Sequence, residues 1–325
     1  MKAWQFNEYG NHKDVLHWVD RDNPKPSSEG AIVRTSAVSL NFPDLLVTQG
    51  LYQVKAPLPA VPGVEGVGIV TETGENSKFS IGDKVVGFCH GGGTLADYFE
   101  VSNNSAWHAP QHIPDNIIAA LSVTYGTSYF GLVHRADLKP GETLLILGAA
   151  GGVGLAAIQL GKLLGAKVIA AAGNQQKIDV CISQGADYAI NYNTQDLVEE
   201  VKRHTDGKGA NVIYDPVGGD VFEQTKRCIA WDGRIIIVGF AGGSIPTIEC
   251  NRMLLKNCAV IGLAWGQYIE RAPEKVNSVQ NHLYNLLDIG AISPVIHSTL
   301  SFEDVHSGLD LLENRGFYGK IVVTR

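Results

Sequence analysis

Apolar and polar positions change rhythm near residue 118. Before it, short apolar runs are separated by Gly, Pro and Asn, and several alternate with a period of two. In 31–38, Ile32, Arg34, Ser36 and Val38 share one face. The runs 16–19, 31–38, 66–72, 84–88 and 95–101 predict strands at a density that fits a small, mostly antiparallel barrel. After residue 118, apolar runs alternate with helical spacing. They predict strands at 143–147, 167–171, 188–191, 211–214, 234–238 and 258–263, and helices at 153–164, 176–183, 194–204 and 221–230. Strands interleaved with helices in this way make a doubly wound, six-stranded parallel sheet of the Rossmann type. Beyond 264 the chain offers helices at 274–287 and 303–313 and a closing strand at 320–324.

The second region is organised around residues 143–162, TLLILGAAGGVGLAAIQLGK. Its apolar run, 144–147, lies between Pro140-Gly141 and Gly148 and reads as a strand buried on both faces. Val153, Ala156, Ala157, Leu160, Leu163 and Leu164 then recur at helical spacing. Strand, glycine turn and helix form the context of a dinucleotide-binding fingerprint. Gly151 and Gly152 let backbone approach a pyrophosphate, whose charge suits the amides and dipole of a new helix. Gly154 lets that helix pack closely on the strand, and Ala149 replaces the first glycine of G-x-G-x-x-G.

The end of the next strand selects the cofactor. An NAD site usually puts an acid there, about 20 residues past the glycines, for the ribose 2′-hydroxyl. Here the sequence is Gly173-Asn174-Gln175-Gln176-Lys177. No carboxylate repels a 2′-phosphate and Lys177 attracts it, although a lysine on a helix surface also needs no ligand to explain it. The expected cofactor is NADPH.

Composition narrows the classes. A chain of 325 residues has room for about two domains, and 45% apolar with 18% charged residues is ordinary for a globular protein. A net charge of −7 gives no basic surface for nucleic acid. No apolar run reaches the ~18 residues of a membrane span, and MKAWQFNEYG at 1–10 has no signal-peptide core. Cysteines 89, 181, 228, 250 and 258 are unclustered, which fits reduced thiols in the cytoplasm.

Gly141-Glu142, Leu145, Ala149-Ala150-Gly151-Gly152, Gly154, Gln159 and Lys162 fall at the spacing of the quinone oxidoreductase/ζ-crystallin signature. On these residues the chain resembles the zinc-independent quinone oxidoreductase group of the medium-chain dehydrogenase/reductase superfamily. Pro62-Gly63-Val64-Glu65-Gly66, with Gly74 and Gly82-Asp83, resembles that superfamily's GroES-like catalytic domain. The resemblance implies a discontinuous catalytic domain, 1–118 and 264–325, around a dinucleotide-binding domain, 119–263. It implies that Ala149, Ala150, Gly151, Gly152, Val153 and Gly154 hold the pyrophosphate. Gly173, Asn174, Lys177 and Tyr192 would then surround the 2′-phosphate.

Asn41-Phe42-Pro43-Asp44 followed by Gly50-Leu51-Tyr52-Gln53 resembles the N-F-x-D…G-x-Y stretch of quinone reductases, and also that of enoyl reductases. On that resemblance Asn41 bonds near the nicotinamide or the acceptor oxygen. Tyr52 lines the cleft between the domains and donates a bond or proton to the reduced acceptor, and Thr127 lies near the nicotinamide. Plainer readings stay open: Asn41 as a turn former and Tyr52 as a packing aromatic. Gly239-Phe240 and Ala264-Trp265 lie beyond the carboxyl ends of the fifth and sixth strands, where ligands of open α/β sheets bind. Their backbones are candidates for the carboxamide.

Zinc-using relatives carry Cys and His ligands in three segments. Here Val64 and Val123 stand at two of them and residues 38–44 contain no Cys. His108 and His112 flank Pro110, and His90 adjoins Cys89; neither pair reaches the three or four convergent ligands that zinc requires. The expected activity is metal-free, NADPH-dependent reduction of quinones by hydride transfer from nicotinamide C4 in the interdomain cleft. A 2-enoyl-thioester or enone reductase is the alternative, and a low-turnover, crystallin-like NADPH-binding protein is a more distant one. The sixth predicted strand, CAVIGL, has neither charge nor proline and sits at a sheet edge in a doubly wound order. Pairing with a two-fold mate would cover it, so a homodimer is expected; a covering loop from the return segment is the alternative.

Overall fold

The computed structural model describes residues 1–325. It contains two compact units. One comprises Met1–Val123, Gly266–Tyr284 and Val295–Arg325, and the other Thr124–Trp265 and Asn285–Pro294.

The second unit is built on a six-stranded sheet, all parallel. In spatial order its strands are Tyr188–Asn191, Lys167–Ala172, Thr143–Ile146, Ala210–Asp215, Ile229–Ile237 and Ala259–Gly262. In chain order that is 3-2-1-4-5-6, the doubly wound arrangement. Thr143–Ile146 is buried along its whole length because helices cover both faces, which is why it reads as an unbroken apolar run. The last strand, Ala259–Gly262, pairs on one side only and is half-exposed.

Helix ends follow local capping. Asp196 accepts from Val198 N and Glu199 N at 2.8 and 2.9 Å, so the helix runs Leu197–His204 and starts three residues after the expected Thr194. The predicted helix 221–230 is Gly219–Cys228. Ile229 and Ala230 instead open the long strand Ile229–Ile237, whose pairing with Ala210–Asp215 shifts register after Ala210. Asn285–Pro294, far along the chain, groups with this unit through Gln159. The Gln159 amide receives Ser293 N and donates to Ser293 O, both at 2.9 Å.

In the first unit the strand order is Ile296–Ser301, Lys320–Thr324, Gly30–Leu40, Glu65–Thr73, Lys84–Phe88, Ala106–His108. Tyr98–Ser102 also pairs on Gly30–Leu40, and all pairings are antiparallel except that between Ile296–Ser301 and Lys320–Thr324. Lys2–Phe6 and Leu16–Asp20 form a separate antiparallel pair. The strand expected from Leu95 begins at Tyr98, because Leu95 and Ala96 are drawn off by Lys2–Phe6: Leu95 O accepts Trp4 N at 2.9 Å and Ala96 bridges Ala3. Phe6, Leu16, Leu40, Leu95, Phe302 and Leu309 close one core of this unit, and Trp4 Nε1 donates to Phe302 O at 2.8 Å.

Candidate functional site

The glycine turn is fixed by backbone. Leu147 N donates to Tyr214 O and Ala149 N to Ala171 O, each at 3.0 Å, so the turn hangs from the two neighbouring strands. Gly148, in the left-handed region at φ 55°, turns the chain one residue ahead of Ala149. Gly151 then begins the helix Gly152–Leu163 with no side chain to cap it, and its N-terminal amides are left for an anion. A Cβ on Gly151 would meet only Gly148 O, at 3.3 Å. A Cβ on Gly154 would lie 2.6 Å from the carbonyl oxygens of both Gly148 and Ala149. Gly154 therefore admits the turn, whereas contact with the strand is made through Gly161, whose Cβ would sit 2.7 Å from Leu144 Cδ2. Gly161 is one residue that motif reading passes over.

Two more predicted groups gather at the carboxyl ends of the strands. Asn174 caps the helix Gln175–Ser183 by accepting Lys177 N at 2.9 Å. Gly173 lies beside Tyr192: a Cβ there would meet the Tyr192 hydroxyl at 3.1 Å. Gly173, Asn174 and Tyr192 thus lie together, with Lys177 joined to them through its main-chain N–H and Asn193 Nδ2 donating to Gly173 O at 2.6 Å. The loop after Ile229–Ile237 folds onto the loop after Ala210–Asp215. Gly242 N donates to Val217 O at 2.7 Å, and Phe240 packs beside Gly218. Trp265 is buried against Gly126, whose Cβ position is 2.9 Å from the indole, so it adjoins the helix carrying Thr127. Ala264 is exposed. The next residue on that helix, Ser128, donates Oγ to Val153 O at 2.8 Å and fastens it to the glycine turn.

In the first unit Asn41 opens a buried ionic cluster that the sequence did not reveal. Its Nδ2 donates to Ser39 O and to Glu65 Oε1, both at 2.9 Å, and its Oδ1 accepts Lys320 Nζ at 2.6 Å. Both amide hydrogens are used; only a second lone pair of Oδ1 remains. Lys320 also donates to Leu40 O at 3.0 Å and stands 3.4 Å from Glu65 Oε1, while Glu65 Oε2 accepts Val123 N at 2.9 Å. Asp44, the N3 residue of the helix Phe42–Thr48, takes Asn41 N at 2.7 Å and Gly63 N at 3.1 Å. All four side chains are buried.

Burial raises the Asp44 carboxyl to about 7, against the pull of its backbone donors and of Lys320. Burial also raises Glu65 and lowers Lys320, in each case opposed by the other's charge. Tyr52 is half-buried, packed against the core of the unit, and its ring centroid lies 6.5 Å from that of His90. Its phenol is raised above its usual value by burial and by the nearby Asp44 charge, so it holds its proton.

Elsewhere, His12, Asp310 and Glu313 bring ligand atoms within 4.8 Å of one another. There the Lys13 ammonium, 2.8 Å from Asp310, already supplies the cation. His108 pairs with Asp83 at 3.0 Å. No helix is long and apolar enough to cross a membrane.

Known proteins match this architecture along the whole chain. The family models for an alcohol dehydrogenase GroES-like domain and a zinc-binding dehydrogenase match residues 27–111 and 152–281. A quinone oxidoreductase-like protein 2 homolog of Nematostella vectensis is 39% identical over 99% of this chain and 88% of its own length. The Escherichia coli quinone oxidoreductase, solved as a complex with NADPH, superposes with a TM-score of 0.93 at 29% identity, covering 100% of both chains. The CurK enoyl reductase gives 0.88 at 25% identity over 99% of this chain and 98% of that one. With its parallel dinucleotide sheet and its GroES-like sheet, the chain belongs to the quinone oxidoreductase group of the medium-chain dehydrogenase/reductase superfamily and is an oxidoreductase.

Proposed function

We propose that the protein is a metal-free, NADPH-dependent quinone reductase. The observation that carries this reading is the segment Gly173-Asn174-Gln175-Gln176-Lys177 beside the Tyr192 hydroxyl, which has no carboxylate at the strand end and a lysine in the first turn of the helix that follows, where a 2′-phosphate would sit. Ala149 N is spent on Ala171 O and Gly151 N on Gly148 O, so the amides that open the helix Gly152–Leu163 would hold the pyrophosphate, and Gly239, Phe240, Ala264 and Trp265 the carboxamide, with Thr127 beside the ring. NADPH, when bound, supplies a hydride from nicotinamide C4. Reduction of a quinone to the hydroquinone then also takes up a proton, and Tyr52, which holds its own proton, would be its donor. Asn41 acts by fixing Lys320 and Glu65 beneath the acceptor end of this unit.

The donor set near Asn41 does not fit a zinc ion. Zinc takes thiolates, imidazoles or free carboxylates. Here Glu65 is committed to Val123 N, Asn41 and the Lys320 ammonium, and Val64 and Val123 bring apolar side chains. The five cysteines are all free, in keeping with the reducing cytoplasm. The bare edge Ala259–Gly262, beside exposed Trp231, Leu254 and Leu255, supports a homodimer closed by that strand.

The likeness to an enoyl reductase keeps a 2-enoyl thioester as the second acceptor class. Turnover of ortho- and para-quinones, crotonyl-CoA and small enones, measured side by side, separates the two. Quinones should be preferred, and Tyr52→Phe should lower kcat for them while leaving NADPH affinity unchanged. Better turnover of crotonyl-CoA than of any quinone would overturn the acceptor assignment.

A further inference from the structure

A cavity of about 330 Å³ opens in the first unit, lined in part by His90. One wall is the segment that follows Tyr52, from Val54 to Val61, and the facing wall is Gly91–Gly93, which follows His90. His90 lines the cavity and its ring centroid lies 6.5 Å from that of Tyr52, so His90 links the cavity to the proposed acceptor position. The walls are pinned before any ligand arrives. Gly93 N donates to Pro62 O at 3.2 Å, and the chain passes so close at Gly92 that a Cβ would lie 2.3 Å from Val61 O.

The chemistry of the lining selects the occupant. Val54, Ala56, Pro59, Val61, Ala96 and Phe99 offer hydrocarbon. The charged groups at the rim are turned to other partners. Arg21 Nη1 donates to Gln5 Oε1 at 2.9 Å, Lys55 Nζ lies over the Tyr9 ring at 5.7 Å, and Glu100 Oε1 accepts Ser27 N at 2.8 Å. The Met1 ammonium, also in the lining, donates to Arg21 O at 2.8 Å. The volume is near the lower end for small-molecule sites, which suits part of a ligand rather than the whole.

We infer that this cavity is a tail subsite: it takes the apolar side chain of a substituted quinone whose ring lies at Tyr52 and His90. The inference rests on the quinone-reductase reading for the ring and names the substrate class within it, a quinone bearing an alkyl or prenyl substituent. Binding there leaves hydride and proton transfer as already described and adds affinity through buried hydrocarbon.

The experiment compares kcat/KM for unsubstituted 1,4-benzoquinone and for 2-decyl-1,4-benzoquinone with NADPH. It uses wild type, Ala56→Trp, which fills the cavity, and Val54→Glu, which charges its wall without filling it. Binding of 1-decanol to each protein is followed by calorimetry as a readout independent of turnover. The decyl chain should raise wild-type kcat/KM by about tenfold or more, since a single methylene in an apolar pocket is already worth that much. Both variants should bring the ratio of the two quinones towards one and weaken decanol binding. Equal turnover of the two quinones by wild type, with no decanol bound, overturns the subsite and leaves the quinone-reductase reading intact. Absence of any quinone turnover, with decanol bound by wild type and lost in both variants, overturns that reading and keeps the hydrocarbon subsite.

Discussion

The glycine turn at 148–154 and the cluster around Lys320 are built by opposite means. The turn contains no charged side chain; glycines and main-chain bonds fix its shape, and the uncapped amides at the start of its helix can meet a ligand's charge. The cluster packs two carboxylates and an ammonium into the interior of the other unit, each committed to partners within the protein. A surface that must receive and release a charged ligand does well with backbone dipoles, which cost little to leave in water. A site that must hold one geometry can use interlocked charges, because any misplacement leaves one of them buried and unpaired.

The sharpest way to break this contrast is to remove the ammonium. Lys320→Ala should destabilise the protein by about 3–5 kcal/mol, the usual cost of leaving half of a buried ion pair. Urea unfolding measures it, and adding Glu65→Gln should recover much of the loss. A cost below about 1 kcal/mol would mean that the three groups do not act as one unit.

The second test is titration. Asp44 is raised in the folded protein from 3.8 to about 7, so between those values the folded state keeps a proton that the unfolded chain has lost. Its contribution to stability is therefore full below pH 4, falls as pH rises towards 7, and is flat above. Glu65, also raised, acts in the same direction. Lys320, lowered, acts oppositely at higher pH: its contribution grows as pH climbs through its folded value towards 10.5. Asp44 alone accounts for at most about 4 kcal/mol. The difference between wild type and Asp44→Asn in urea midpoints from pH 4 to 8 isolates it; a difference that does not change with pH would remove Asp44 from the account.

On the nucleotide side, charge enters only at the rim of the site. Lys177→Ala should weaken NADPH binding by about 1.5–3 kcal/mol and leave NADH nearly unaffected. Titration of both cofactors decides it, and equal losses for the two would show that Lys177 does not read the phosphate.

The smallest expected effects separate glycines kept by the fold from those kept by the ligand. Gly154→Ala should cost about 1–3 kcal/mol of stability, because the new methyl group overlaps two carbonyl oxygens. Gly151→Ala should stay within about 1 kcal/mol in stability yet lose NADPH affinity, since the space beside it is open until a pyrophosphate arrives. Thermal unfolding with and without NADPH reads both variants.

The parallel sheet was legible in the sequence because its strands are buried on both faces and read as apolar runs between turn residues. The first unit was less so. Ile296–Ser301, IHSTLS, is half-exposed and polar, and Ala106–His108 has three residues, too few for any period to show. At the candidate site the glycines announced themselves because their geometry is local. The ionic cluster did not, because Lys320 at the head of a final strand looks like an ordinary solvated lysine, and Asp44 like a helix cap. One signal was present: Glu65 is the lone charge in 59–71, PAVPGVEGVGIVT, and a carboxylate inside an apolar run needs a cation from somewhere.

Lys320 follows Asn41 and Glu65 by 279 and 255 residues, and Phe302 closes over Trp4 across 298. On a ribosome adding about 5–20 residues per second, Glu65 waits roughly 13–51 s for its counter-charge. The strands of the parallel sheet all emerge by Gly262, so that sheet can close during the wait. A nascent chain stalled before Lys320 would carry a finished nucleotide sheet beside an open first unit whose carboxylates are still in water. The unit that is synthesised first is thus the last to complete its buried charges, which can pair only once Lys320 has emerged.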